Sequence, residues 1–203
     1  MRGIEAELDE SRMVPVPATV DGAVESWARE RAESLRATHG LDEQRTVAIV
    51  AALVAAHQLA ARGRGQYFLL FDPLTALVAP LHVVISEGEL APVGQRGFLL
   101  PTALRAPDLR LTPETVFGTG CSSTFLTMRP GMAEIRWLFV ATGVTLAATL
   151  APVATAATMS MGITAEDLFV ALSIEGGRLS RSADFRPEVL IAETYEAQEQ
   201  WAL

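Results

Sequence analysis

The chain has 203 residues, enough for one well-buried core; half of them are hydrophobic and 20% are charged, which excludes a disordered chain. The 16 basic and 24 acidic residues give a formal charge of -8, so a broad phosphate-binding surface and a nucleic-acid partner are not expected. All the basic residues are Arg, and neither Lys nor Asn occurs, a composition typical of a GC-rich bacterial genome.

Residues 1–19 are predicted to form an acidic arm followed by a proline-rich strap. Pro15 and Pro17 disfavour helix in the residues before them, so this segment is expected to lie extended along an edge of the fold. The acidic N-terminus is unlike a signal peptide, and a single cysteine cannot form an internal disulfide, which together favour the cytoplasm. Whether translation starts at Met1 or at Met13 stays open.

Two helices are predicted after the strap. Asp21 is expected to cap a helix that runs to about Thr38 and ends at Gly40. A second helix is predicted from Asp42 to Arg62, where the sequence GRG provides a stop. Because no Asp, Glu or Arg occurs from Thr46 to Ala61, we expect most of this helix to be buried, as the central helix of the fold.

After the second helix the pattern changes to short apolar runs that are typical of strands. The runs QYFLLFDP and LHVVISEG predict two strands connected by LTALVAP. Four prolines between Leu90 and Thr115 predict a loop there, with one short strand at GFLLP. Further strands are predicted for VFGTG, CSSTFLTMRPG and AEIRWLFVATG.

A segment without charged residues extends from Trp137 to Ala165. Within it we expect a helix from Leu146 to Met161, with Pro152 in its first turn or at a kink. The length of the segment would also suit a membrane span, so a membrane-tethered protein is an alternative. Its high content of Ala and Thr makes transfer into lipid borderline, which favours a strand followed by a buried helix.

Residues 20–182 are predicted to form one α+β domain, in which the N-terminal helices pack on an antiparallel sheet and an Ala/Thr-rich helix follows later. Near its end the run DLFVALSIEGG fits either a strand or a helix. Residues 183–203 are predicted to form an amphipathic helical tail. An apolar stripe on a terminal helix favours contact with a partner protein. The candidate binding residues on this tail are Leu190, Ile191, Tyr195 and Trp201.

The stretch GTGCSST contains the single cysteine, Cys121, and is similar to the nucleophile turn of ketosynthases and thiolases. Those enzymes have histidines after the cysteine, whereas His57 and His82, the candidate bases, precede Cys121. The β-branched and aromatic residues that follow Cys121 favour a strand with the thiol facing the core. We therefore predict no catalytic residue, and a cysteine-dependent enzyme is the alternative.

Sequence motifs for metals and cofactors do not occur. There is no HxH, HExxH or CxxC spacing, so no metal site is expected. The glycine clusters GRG, GTG and EGGR do not fit a phosphate-binding loop, which in one common form requires a lysine that this chain lacks. No cofactor is therefore expected.

The predicted elements follow one another in a characteristic order: the Trp-bearing helix VESWARERAESL, a second helix, the strand YFLLFDP, and a strand ending in Thr-Gly before a last helix. This order resembles small actinobacterial proteins with a Mog1/PsbP-like α+β sandwich. The resemblance implies an accessory or secretion-associated role and transfers no functional residue. The Ala/Thr-rich helix and the segment after Ala165 depart from it. The expected function is a non-enzymatic accessory or protein-binding protein, whose partner is another protein or a second copy.

Overall fold

The computed structural model describes residues 4–6, 8–101 and 105–201, with the side chains of residues 4, 5 and 198–201 left aside. The fold is α+β. The strands are β1 (Ile4–Ala6), β2 (Met13–Val16), β3 (Gln66–Asp72), β4 (Leu77–Glu87), β5 (Asp108–Thr115), β6 (Gly118–Leu126), β7 (Met132–Ala141), β8 (Val144–Ala154) and β9 (Leu172–Ile174). The helices are α1 (Val24–His39), α2 (Glu43–Ala60), α3 (Pro92–Leu99), α4 (Thr155–Ala171) and α5 (Pro187–Trp201).

Seven strands form one antiparallel sheet in the order β2-β3-β4-β8-β7-β6-β5. The edge strand β2 comes from the proline-rich strap, as the sequence predicted, and its Met13, Val14 and Val16 are buried. Strands β1 and β9 pair in a separate two-stranded sheet. The central pairing of β4 with β8 joins the first hairpin to a meander of four strands, so the sheet is continuous.

Helices cover both faces of the sheet. On one face α4 packs against a core that includes Trp137 and Phe139 of β7. On the opposite face α1 and α2 cover Leu69 and Phe71 of β3. At the other end of that face, α3 and α5 lie over β5, β6 and β7, where Leu138 faces them. Successive residues of β7 thus enter different cores, as the two-residue period of a strand requires.

The predicted helix from Leu146 to Met161 is wrong. Residues 144–154 form strand β8, and the helix begins only at Thr155. Leu146 and Leu150 alternate toward the core under α4, and both edges of β8 form backbone hydrogen bonds. Pro152 fits this strand because the β7–β8 register shifts nearby and leaves it without a paired residue.

The predicted loop from Leu90 to Thr115 is also wrong, because the prolines have other roles there. Pro92 begins helix α3, where a missing N–H costs no intrahelical hydrogen bond. Pro113 lies in strand β5, at a register shift opposite β6. The connection LTALVAP is shorter than predicted, since β4 starts at Leu77.

Helix α2 has the predicted length but not the predicted burial. Asp42 caps it by accepting a hydrogen bond from the Arg45 backbone N–H at 2.8 Å. Only one side is covered, along a stripe of residues that share the helical repeat: Thr46, Ile49, Leu53, Ala56, His57 and Ala60. The other side faces solvent, with Val47 63% exposed and Leu59 49% exposed. It is a surface helix without a charged outer face.

Candidate functional site

Cys121 lies in the middle of β6 and is fully buried, as the strand interpretation predicted. Its neighbours in the sheet are Leu111 and Leu138, and Phe185 and Leu190 close the same cluster. Burial, with a smaller effect of the Glu188 carboxylate, raises the pKa of the thiol to about 12. A nucleophilic cysteine requires the opposite shift, so the surroundings of Cys121 give no support to thiol catalysis.

The glycines of the GTGC stretch have a structural cause. Gly118 follows the tight turn from β5 with a φ of 86°, a conformation that favours glycine. At Gly120 an added Cβ would lie 2.5 Å from a ring carbon of Phe139 and 2.6 Å from the carbonyl oxygen of Leu138. The small residues before Cys121 therefore allow close packing between β6 and β7.

The structure does not bring the two candidate bases to Cys121. His57 Nδ1 donates to the Pro17 carbonyl at 2.8 Å, and His82 Nε2 donates to the Arg64 carbonyl at 2.6 Å. His82 belongs to β4, which is separated from β6 by β8 and β7. Three strand spacings correspond to about 14 Å. Both histidines thus tie loops to the fold: His57 holds the strap, and His82 holds the loop before β3.

The predicted binding stripe of α5 contacts the chain's own sheet. Leu190 is buried and Ile191 is half-buried in the cluster around Leu138. Tyr195 is 46% exposed, and its hydroxyl donates to Asp108 Oδ1 at 3.2 Å, a hydrogen bond that raises the pKa of the phenol. The side chain of Trp201 lies outside the described residues. Phe185, Leu190 and Ile191 of the predicted tail thus belong to a core cluster.

A polar row that the sequence did not reveal crosses the sheet in register. His82 faces Thr149, Thr149 faces Arg136, and Arg136 faces Ser123. Arg136 donates from Nε to Glu134 Oε1 at 2.7 Å and from an η nitrogen to the Phe98 carbonyl at 2.9 Å, and its guanidinium lies over the rings of Phe98 and Phe125. Ser123 donates to the Leu99 carbonyl. Arg136 and Ser123 thus fix α3 to the sheet.

The described residues contain neither a metal-binding cluster nor a membrane-spanning helix. No group of three or more His, Cys, Asp and Glu side chains there is arranged to hold a metal ion. Among the same residues, no helix is long and apolar enough to cross a lipid bilayer. The uncharged segment 137–165 is divided between β7, β8 and α4, so the interpretation of it as one membrane-spanning helix is wrong.

The most distinctive exposed features are apolar helix faces, and the sequence did not locate them. On α4, Met159 and Ile163 lie one turn apart and are 74% and 49% exposed, and Met128, in the hairpin between β6 and β7, is 81% exposed. The Thr155 backbone N–H donates to the Gly131 carbonyl at 2.9 Å, which places the start of α4 beside this hairpin. We call Met128, Met159 and Ile163 the methionine surface.

Comparison with known protein families, curated proteins and solved structures finds no match to this chain. The resemblance to the Mog1/PsbP-like sandwich therefore stays a prediction. The structure itself establishes the α+β architecture, with two N-terminal helices packed on a seven-stranded antiparallel sheet.

Proposed function

We propose that this protein is a non-enzymatic protein-binding module, an accessory of a bacterial assembly or secretion-associated system, and that it holds its partner through the methionine surface. The observation that carries the proposal is the exposure of Met128 and Met159, which lie on adjoining elements and face solvent. Exposed apolar patches of this kind mark sites of protein interaction.

The chemistry of the methionine surface suits a protein partner. Methionine side chains are unbranched and polarizable, so they adapt to apolar partners of different shape. Helix α4 carries no charged residue before Glu166, so its first three turns cost little to desolvate. The partner we expect is a protein that presents an apolar helix or strand.

The burial of Cys121 supports a binding role over thiol catalysis. His82 lies three strands away from Cys121, and His57 lies on α2, which packs over β2, β3 and β4, so neither candidate base can activate the thiol, and burial raises the pKa of Cys121. The contacts of α5 also change how the proposal must be tested. Because Leu190 packs beside Cys121, removing the C-terminal segment would uncover a core cluster as well as any binding surface.

Point substitutions on the methionine surface give the cleaner experiment. Met159→Glu places a charge at its centre and should abolish co-purification of a stoichiometric protein from the native host, measured by affinity purification and mass spectrometry. Val93→Glu is the matched control, since Val93 is exposed to a similar extent on α3, which lies on the opposite face of the sheet from α4. Both variants should unfold like the wild type in urea. Retention of the partner by Met159→Glu would contradict the proposal.

A further inference from the structure

The solvent-facing side of helix α2 lacks the charged residues that the exposed side of a helix normally carries. Helices at a protein surface carry charged residues on the solvent side. Between Arg45 and Arg62 the solvent side of α2 carries none. It consists of apolar and small residues with one glutamine: Val47, Ala48, Ala51, Ala55, Gln58 and Leu59. We call these six residues the α2 outer face.

The α2 outer face is complementary to itself when two copies are antiparallel. If the two-fold axis passes the helix midway between Ala51 and Ala55, Ala51 of one copy lies opposite Ala55 of the other. The same operation places Val47 opposite Leu59 of the second copy, so the two exposed aliphatic residues meet each other. The alanines at the centre allow the helix axes to approach to about 8 Å, the short end of the range for packed helices.

The charges at the two ends of α2 select the antiparallel orientation. Asp42, Glu43 and Arg45 lie at its N-terminus, where Arg45 Nε is 3.7 Å from Asp42 Oδ2, so that this end keeps one net negative charge. Arg62 and Arg64 follow its C-terminus, and all five residues are exposed. Within the described residues neither Arg62 nor Arg64 forms an ion pair. In an antiparallel pair the acidic end of one copy meets the basic end of the other at both ends, whereas a parallel pair would bring like charges together. Such rim charges determine orientation more than affinity.

From these observations we propose that α2 is the two-fold interface of a homodimer of this chain, in which α2 packs antiparallel against α2 of the second copy. The proposal goes beyond the proposed function, because it concerns another helix on the opposite face of the sheet from α4. One helix pair is at the small end of specific interfaces, so the dimer should dissociate reversibly on dilution.

Analytical ultracentrifugation of the full chain over a wide concentration range tests the dimer directly. Ala55→Glu should raise the dissociation constant by at least about tenfold, because each copy then presents a carboxylate to an apolar contact. Ser34→Glu is the matched control: it adds the same charge to the outer face of the neighbouring helix α1 and should leave the constant unchanged. A wild-type chain that is monomeric throughout, or a dimer that Ala55→Glu leaves intact, would overturn the proposal.

Charge exchange tests the orientation. Glu43→Arg and Arg62→Glu should each weaken the dimer, and the double variant should recover it, because the antiparallel pair restores opposite charges at both ends. No recovery in the double variant would overturn the antiparallel arrangement. Partner capture through Met159 is a separate readout, so the failure of one proposal leaves the other standing.

Discussion

Helices α1 and α2 pack side by side on the same face of the sheet, yet their outer faces differ. Helix α1 faces solvent with charged residues, among them Glu25, Arg29, Glu33 and Arg36. Helix α2 faces solvent with aliphatic and small residues and carries charges only at its ends. Their inner faces are alike, since both contribute to the apolar cluster around Leu69 and Phe71. The difference therefore lies in what each helix meets on its outer side, which for α2 we infer to be another copy.

The largest expected loss of stability comes from substitutions on the inner faces of α1 and α2, which pack into the same apolar cluster. Leu35 of α1 and Leu53 of α2 are both buried in the shared cluster. Leu35→Ala and Leu53→Ala should each lower the free energy of unfolding by about 2–5 kcal/mol, because each leaves a cavity. Urea denaturation at low protein concentration measures this. A much smaller loss at Leu53 would show that α2 is held mainly by its outer side.

The third long helix, α4, resembles α2 in composition but has a polar tie to the sheet. Asp72 accepts hydrogen bonds from Ser160 of α4 at 2.8 Å and from the backbone and hydroxyl of Thr75. Burial opposes the charge of Asp72, but these hydrogen bonds outweigh that effect and hold its pKa below the ordinary value. Asp72→Asn should therefore destabilise the fold by about 1.5–3 kcal/mol at neutral pH.

The pH dependence checks this second prediction. Because the pKa of Asp72 is lowered in the folded state, its contribution is complete above the unfolded value of about 3.9 and is lost as the pH falls through the folded value. Unfolding measured from pH 7 to acid should show the wild type and Asp72→Asn converging. A constant difference between the two curves would mean that shape, rather than charge, explains the loss.

The smallest expected change in the free energy of unfolding comes from the N-caps of α1 and α2. Asp42 caps α2 as predicted, whereas the predicted cap of α1 at Asp21 is wrong: α1 begins at Val24, so its N-cap position is Ala23, which has an extended backbone and no side chain that can accept a hydrogen bond from the helix. Ala23→Ser should supply the missing acceptor and raise the free energy of unfolding by about 1 kcal/mol, seen as a higher midpoint in urea. Ala23→Val, which has no acceptor, is the control and should give no gain.

Elements with a strong local signal were predicted correctly from the sequence. The N-cap at Asp42, the stop at Gly40 in a left-handed conformation and the strand QYFLLFD are all in place, as are α5 and the extended strap. Each depends on residues within a few positions of one another. For the candidate site, the core position of Cys121 was predicted in the same way, from the strand-forming residues that follow it.

The elements that were predicted wrongly depend on contacts with residues that are distant in the sequence. The alanines made residues 146–154 resemble a helix, but β4 and β7 offer hydrogen bonds to both edges of this segment, and this pairing outweighs the local helix propensity. Pro92 and Pro113 indicated a loop because local rules do not distinguish a loop from a helix start or a strand irregularity.

The sequence by itself determined the α+β class, the N-cap of α2 at Asp42, the stop of α1 at Gly40 and the buried position of Cys121, because these follow from local propensity and hydrophobic period. Tertiary structure alone decided which side of each apolar element is covered. The missing charges of α2 indicated burial, yet the sheet covers one side of that helix and leaves Val47 and Leu59 exposed. In the same way, Leu190 of α5 was covered by the sheet while Met159 of α4 was left to solvent. The apolar composition of a helix or strand indicates that one of its sides will be covered. Only the packing of elements that are distant in sequence decides which side the chain itself covers.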